Sequence, residues 1–269
     1  MKIQIKLGFL FILHLAANLH SKEVEDAIKL RYQGRIDDAI SKIQSIEGGL
    51  LPEVEVILAK LYLDKGMYTE AIKYYEKNCK SLDTYECFNE YAISLMENQN
   101  YEEAIINFEK SISLNPSFAN GFSNLAICYA KSKDYIKAEE NHLKALEMMP
   151  NNPVIRINYG IFLLKLKKYQ RAKDILYPVI SENEAMYFAE LYIGIAHYQK
   201  EEYNAALIHY NRAISISPEY PELYYHRALL YYKRGDYHGA LKDLHFYEKL
   251  NGNHPKVNDL KKLIKLNNR

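Results

Sequence analysis

The sequence predicts an all-α protein, a stack of about seven helical hairpins closed by one last helix. Three observations carry that reading. Alanine or glycine recurs at Ala27, Ala59, Ala92, Ala126, Gly160, Gly194 and Ala228, at spacings of 32, 33, 34, 34, 34 and 34 residues. A second small-residue series, Ala39, Ala71, Ala104, Ala138, Ala172, Ala206 and Ala240, keeps the same drift and runs twelve residues behind the first. Between the two series each unit carries a short polar turn, such as Lys133-Asp134 or Arg234-Gly235-Asp236. Helices approach closely only where the side chains at their crossing are small. One such hairpin cannot bury its apolar face alone, so successive hairpins must stack.

Taken in order, the first twenty residues differ from the rest. Lys2 and Lys6 precede an apolar stretch from Leu7 to Ala17, broken only by His14. The stretch is shorter than the roughly 20 residues a membrane-spanning helix needs, and its pattern is that of an export signal cleaved between Ala17 and Ser21. The expectation is export, to the periplasm of a bacterium. A cytoplasmic protein, or one anchored by residues 7–19, is the alternative. Without this segment, 33 basic side chains face 34 acidic ones, a balance that gives no footprint for nucleic acid or for anionic membrane.

The hairpins then run approximately over 20–51, 52–84, 85–118, 119–152, 153–186, 187–220 and 221–254. In the fourth, Phe122, Leu125, Ala126 and Tyr129 line one face of the first helix, and Ala138, His142 and Ala145 one face of the second. The first two hairpins are short and deviant around Gly48-Gly49 and Lys80-Ser81. Pro178 falls within the second helix of the fifth hairpin and should kink or end it. Tyr68, Tyr101, Tyr135, Tyr169, Tyr203 and Tyr237 hold one position just before the second helices, which marks them as packing residues. A helix within 255–269, with Val257, Leu260, Leu263 and Ile264 on one side and Lys261, Lys262 and Lys265 on the other, suits a cap over the last apolar face. A basic membrane-surface helix is the alternative.

The period, with Phe88, Tyr91, Ala92, Leu95, Ala104, Phe108, Ser111 and Pro116 in one unit and Ile193, Gly194, His197, Ala206, Tyr210, Ala213 and Pro218 in another, resembles the tetratricopeptide repeat (TPR) pattern. The resemblance covers residues 21–254. It implies a right-handed superhelical solenoid whose first helices line a concave groove that holds a segment of another protein. Glu86, Asn89, Asn120, Ser123, Asn124 and Asn158 fall on that side in the third to fifth hairpins. Asn124 and Asn158 occupy corresponding positions, and such amides bond a peptide backbone without reading its sequence. Phe188, Leu191, Tyr192, Ile195, Tyr198, Tyr225, His226, Leu229 and Tyr232 follow in the sixth and seventh. Large aromatic side chains of this kind are the usual anchors of binding surfaces, although rings on such stripes also pack against neighbouring helices. The Lys and Asn clamp that grips a terminal carboxylate in some relatives is missing, since Val56, Lys60, Glu90, Asn120 and Asn124 stand at the matching sites.

No motif for catalysis stands out: no Gly-rich phosphate loop, H-E-x-x-H, G-x-S-x-G or C-x-x-C. His238 and His245 share a helical face, but no further ligand completes a metal set. Of three cysteines, Cys79 and Cys87 flank a shortened connection, where a disulfide could staple the junction in an oxidising compartment; two reduced, half-buried thiols are the plain alternative. Cys128 reads as a small core residue. The expected function is therefore a non-enzymatic scaffold with no cofactor and no metal. It would hold a partner through Asn89, Asn120, Asn124, Asn158, Phe188, Tyr192, Tyr198, Tyr225 and Tyr232. An assembly factor working through its outer helices is the second reading. A glycan-binding or enzymatic protein is the third, for which Glu222 is the one carboxylate in the C-terminal part of the groove.

Overall fold

The structure is a computed structural model that describes residues 21–47, 49–181 and 186–267. The expected export segment, residues 1–20, lies outside the described residues, as does Gly48. Among the described residues there are fifteen α-helices and no strand. They group into two compact units, one up to Met148 and one from Met149.

The first unit holds four hairpins: α1 (Ser21–Tyr32) with α2 (Ile36–Gln44), α3 (Pro52–Asp64) with α4 (Tyr68–Leu82), α5 (Tyr85–Glu97) with α6 (Tyr101–Leu114), and α7 (Ala119–Lys131) with α8 (Tyr135–Met148). The second holds α9 (Pro153–Lys165) with α10 (Tyr169–Leu176), α11 (Met186–Gln199) with α12 (Tyr203–Ile216), α13 (Pro221–Lys233) with α14 (Tyr237–Asn251), and the final helix α15 (Pro255–Asn267).

The small residues sit where the sequence demands. Every alanine of both series is fully buried. At the two glycines the helices are closer still. A Cβ on Gly160 would stand 2.7 Å from Leu176, and one on Gly194 would stand 2.6 Å from the Tyr210 ring. Each second-series alanine also closes the first turn of its helix, its N–H bonding the carbonyl four residues back.

A third synchronised series appears in the backbone. Gly34, Gly66, Gln99, Lys133, Lys167, Glu201 and Gly235 all adopt left-handed φ between 57° and 79°. They fall in register with the alanines. In each turn the next residue donates its N–H to the carbonyl five positions back, as Lys168 does to Leu163 at 2.9 Å. This is the standard way to end a helix on a left-handed residue, here repeated seven times.

Helix starts are capped individually. Asn152 Oδ1 accepts from the N–H groups of Val154 and Ile155, Thr84 Oγ1 from Cys87, and Asp236 Oδ1 from Gly239. Pro52, Pro153 and Pro221 open α3, α9 and α13, where the missing N–H costs nothing. In the fifth hairpin α10 stops after eight residues at Leu176, and the chain continues as a 3-10 turn over Tyr177–Ser181, around Pro178. Proline removes one helical bond and clashes with the preceding turn. The six tyrosines expected before the second helices are in fact their first residues. Most are half-buried, and Tyr135 is exposed.

Among the described residues, the core of the second unit includes three clusters. Ile157, Leu176, Val179, Ala189 and Ile193 form one; Leu191, Tyr210, Ala213, Leu223 and Leu230 belong to the next. The last gathers Ala228, Leu244 and Tyr247 with Val257, Leu260 and Ile264 of α15. Leu263, expected on the same side, is 46 % exposed instead. In the first unit Cys79 and Cys87 lie with sulfurs at bonding distance and Cα atoms 5.4 Å apart, both buried. Cys128 is a free, buried thiol pushed up to about 11 by burial.

Two stability outcomes follow. Ala126→Leu forces three extra heavy atoms into a closed crossing and is expected to cost about 1–3 kcal/mol in urea unfolding; an unchanged midpoint would show the crossing is loose. Lys167→Gly relieves a left-handed side chain and should raise stability by about 0.5–1 kcal/mol, with Gly235→Lys moving it the other way. A destabilised Lys167→Gly protein would contradict the turn assignment.

Candidate partner-binding surfaces

In the first unit the first helices present a run of alternating charge. Arg31 on α1 pairs with Asp64 on α3. Lys60, also on α3, reaches Asp64 at 3.7 Å and Glu90 on α5 at 2.5 Å. One helix further, Asn124 Nδ2 on α7 donates to Asn89 Oδ1 on α5 at 3.0 Å. Lys131 closes the same pair of helices on Glu97 at 2.9 Å. Asn89 is 5 % exposed, so its amide supports Asn124 from behind. Asn120 and Asn124 are half-buried at the surface. The run through Lys60 and Glu90 is not legible in the sequence, because pairing across about 30 residues depends on the stacking register.

In the second unit the surface is aromatic. Asn158 on α9 is half-buried. Phe188 and Tyr192 on α11 lean on the cluster around Ile193. Tyr187 stacks at a tilt on Phe188, centroids 4.2 Å apart, and both meet Tyr220 edge-on at 5.4 Å. Tyr198 packs beside Tyr203 at 5.9 Å. Burial raises the Tyr192 hydroxyl pKa above its ordinary value, helped by neighbouring Tyr220 and Glu222. Tyr192 and Tyr198 are both half-buried, with one flank supported and the other at the surface.

Tyr225 and Tyr232 on α13 are engaged by the final helix. Lys256 Nζ lies 4.4 Å from the Tyr225 ring centroid and 5.1 Å from that of Tyr247, and pairs with Glu222 at 2.5 Å. An ammonium between two ring faces and a carboxylate is strongly held. Asn267 Nδ2 donates to the Tyr232 hydroxyl at 2.7 Å. These two tyrosines therefore spend part of their surface holding α15. Tyr187, Tyr220 and Lys256 were the functional neighbours the sequence did not reveal; each sits at a helix boundary, where the repeat gives no spacing signal.

His238 and His245 are exposed on α14. Among the described residues no group of three or more His, Cys, Asp or Glu is placed to hold a metal. No helix among them is long and apolar enough to cross a membrane.

The hairpins, their synchronised small residues and the surfaces on their first helices define a helical-repeat protein. Tetratricopeptide repeat profiles match residues 56–80 and 85–118, 107–140, and 193–265, and the chain belongs to that family. It is 24 % identical over 276 residues to a TPR repeat-containing protein of Methanocaldococcus jannaschii, covering 92 % of this chain and 45 % of that one. It is 24 % identical over 160 residues to the type IV pilus assembly protein PilF of Pseudomonas aeruginosa, covering 56 % of this chain and 61 % of that one. The chain thus spans about half the length of these relatives. A crystal structure of a tetratricopeptide repeat protein from Parabacteroides merdae superposes with a TM-score of 0.72 at 16 % identity, over 91 % of this chain and 98 % of the other. That likeness shows the fold, an all-α repeat solenoid.

Proposed function

We propose that the protein is a non-enzymatic scaffold of the cell envelope that holds a segment of a partner protein against its first helices. The single observation that carries this reading is the half-buried aromatic row of α11. Phe188, Tyr192 and Tyr198 are braced by neighbours on one side and at the surface on the other. Rigid aromatic side chains with a supported flank lose little entropy on binding and bury much area. Tetratricopeptide proteins generally mediate protein–protein contacts, which agrees. In the first unit Asn120 and Asn124 would bond a partner's backbone; in the second unit, taken by itself, Asn158 offers the same kind of group. Tyr225 and Tyr232 contribute while also anchoring α15, which serves as the cap of the array. A second reading rests on Ile106 of α6 and Ile136 and Leu143 of α8. These are exposed by 64 %, 76 % and 47 % on second helices, and would suit an assembly factor that works through its outer surface.

The envelope location is supported by three points: the basic-apolar start of the sequence, the likeness to a pilus assembly protein, and the pairing of Cys79 with Cys87 across a short connection. Disulfides persist in oxidising compartments.

A photo-crosslinking residue at 192 or 198 is expected to trap a discrete partner in the native cell, and one at 136 is not. Adducts from 136 alone would overturn the first-helix reading in favour of the outer surface. Denatured, non-reduced protein from those cells should titrate as one free thiol, Cys128; three free thiols would remove the disulfide and its support for export.

A further inference from the structure

The second unit buries a cluster of ionisable groups that partner binding does not use. His197 on α11 and His209 on α12 stack face to face, centroids 5.2 Å apart and planes within 9° of parallel. Both are nearly inaccessible to solvent. Each imidazole is tied to a carboxylate of the other helix's side. His197 Nδ1–H donates to Glu202 at 2.5 Å, and His209 Nδ1–H donates to Glu190 at 2.6 Å. Behind them comes the 3-10 turn. The Tyr177 hydroxyl donates to His197 Nε2 at 3.4 Å, and its ring meets His209 edge-on at 6.1 Å.

The charges around the pair come from every element that packs on it. Lys173 of α10, 6 % exposed, lies 3.8 Å from Glu202. Lys200, in the turn after α11, reaches Glu202 at 2.9 Å, and Arg212 of α12 stands 3.9 Å from Glu190. Tyr177, Glu190 and Glu202 complete the set. Glu202 is held down to about 2 by its bonds from Lys200 and His197, so it remains a carboxylate well into acid.

We propose that the stacked pair His197–His209, with Glu190 and Glu202, is an acid-sensitive clasp: it holds the 3-10 turn Tyr177–Ser181 and α12 against α11 near neutral pH and loosens when His197 takes up a proton. The geometry gives the reason. A proton on His197 Nε2 removes the acceptor for the Tyr177 hydroxyl. It also places a cation on the face of His209, close to the buried Lys173.

The sign follows from linkage. Burial is the largest influence on His197 and holds its pKa below the ordinary histidine value, with Lys173 and His209 adding to it and the Glu202 bond opposing. The opened state therefore binds the proton more readily than the closed one. Stability of the clasp is complete above the free-imidazole pKa near 6.5 and falls as the pH drops below it. His142 in the first unit and His226 on α13, both lowered to about 4 by burial, add acid sensitivity elsewhere, so the test must be local.

Amide hydrogen exchange of the full-length chain, corrected for intrinsic rates, is measured at pH 7.5 and 5.5 on wild type and His197→Gln. Glutamine keeps a donor for Glu202 and an acceptor for Tyr177 but cannot be protonated. In wild type, peptides spanning 169–181 and 203–212 are expected to exchange faster at the lower pH by about threefold or more. In the variant they should change by less than about twofold. No acceleration in wild type, or an equal one in both proteins, overturns the proposal. If the variant does not fold, the imidazole titration of wild type by NMR decides. A His197 midpoint below that of free imidazole supports the clasp; a midpoint at or above it refutes it.

Discussion

Everything in this molecule depends on how closely two helices of a hairpin can approach. At a crossing floored by alanine or glycine, backbone meets side chain with nothing between, as where Gly194 faces the Tyr210 ring. That contact fixes the angle and depth of each hairpin. The left-handed turn is its necessary companion. A chain that must reverse within three residues and start a new helix has few backbone routes, and all seven hairpins take the same one. Four of them do so with Gln, Lys or Glu in a conformation glycine prefers. The packing that follows is strong enough to impose the turn on residues that would not choose it.

That difference explains what the sequence could show. Helix positions, crossings and the break at Pro178 were legible because each is set by the residue standing there. The left-handed series was invisible at Gln99, Lys133, Lys167 and Glu201, because the conformation is dictated from outside. The surfaces were half legible. Facing positions such as Tyr192 and Tyr198 follow from helical geometry alone. Whether a facing side chain is free depends on its neighbour one hairpin along. So Asn89 turned out to be support for Asn124, and Tyr225 to be the seat of Lys256.

The two units solve the exposure of their first helices differently. In the first, charges and amides satisfy one another across successive helices, from Arg31 through Asp64 and Lys60 to Glu90. Such pairs contribute little to stability when exposed, but they keep the surface hydrated and set the register. In the second, rings cover rings, and the final helix seals the last of them with a lysine. A partner meeting the first surface must replace existing polar bonds one for one. A partner meeting the second gains apolar burial directly. On the binding role proposed above, affinity would therefore concentrate on α11.

The same logic bears on the buried charges. A tetratricopeptide hairpin has room at its crossing for small or flat side chains, and stacked imidazoles are flat. Apolar residues could fill that volume with no ionisable group at all, and replacing buried ion pairs by well-packed apolar residues is often neutral or favourable. Retaining two histidines, two carboxylates and a buried Lys173 at one crossing therefore adds little to packing. What the arrangement does add is a dependence on pH beside the hairpin whose second helix is already cut short by Pro178. There the 3-10 turn has fewer helical bonds to hold it than any α-helical counterpart. Loss of a single hydroxyl–imidazole bond from Tyr177 accordingly matters more at this place than it would along a complete helix.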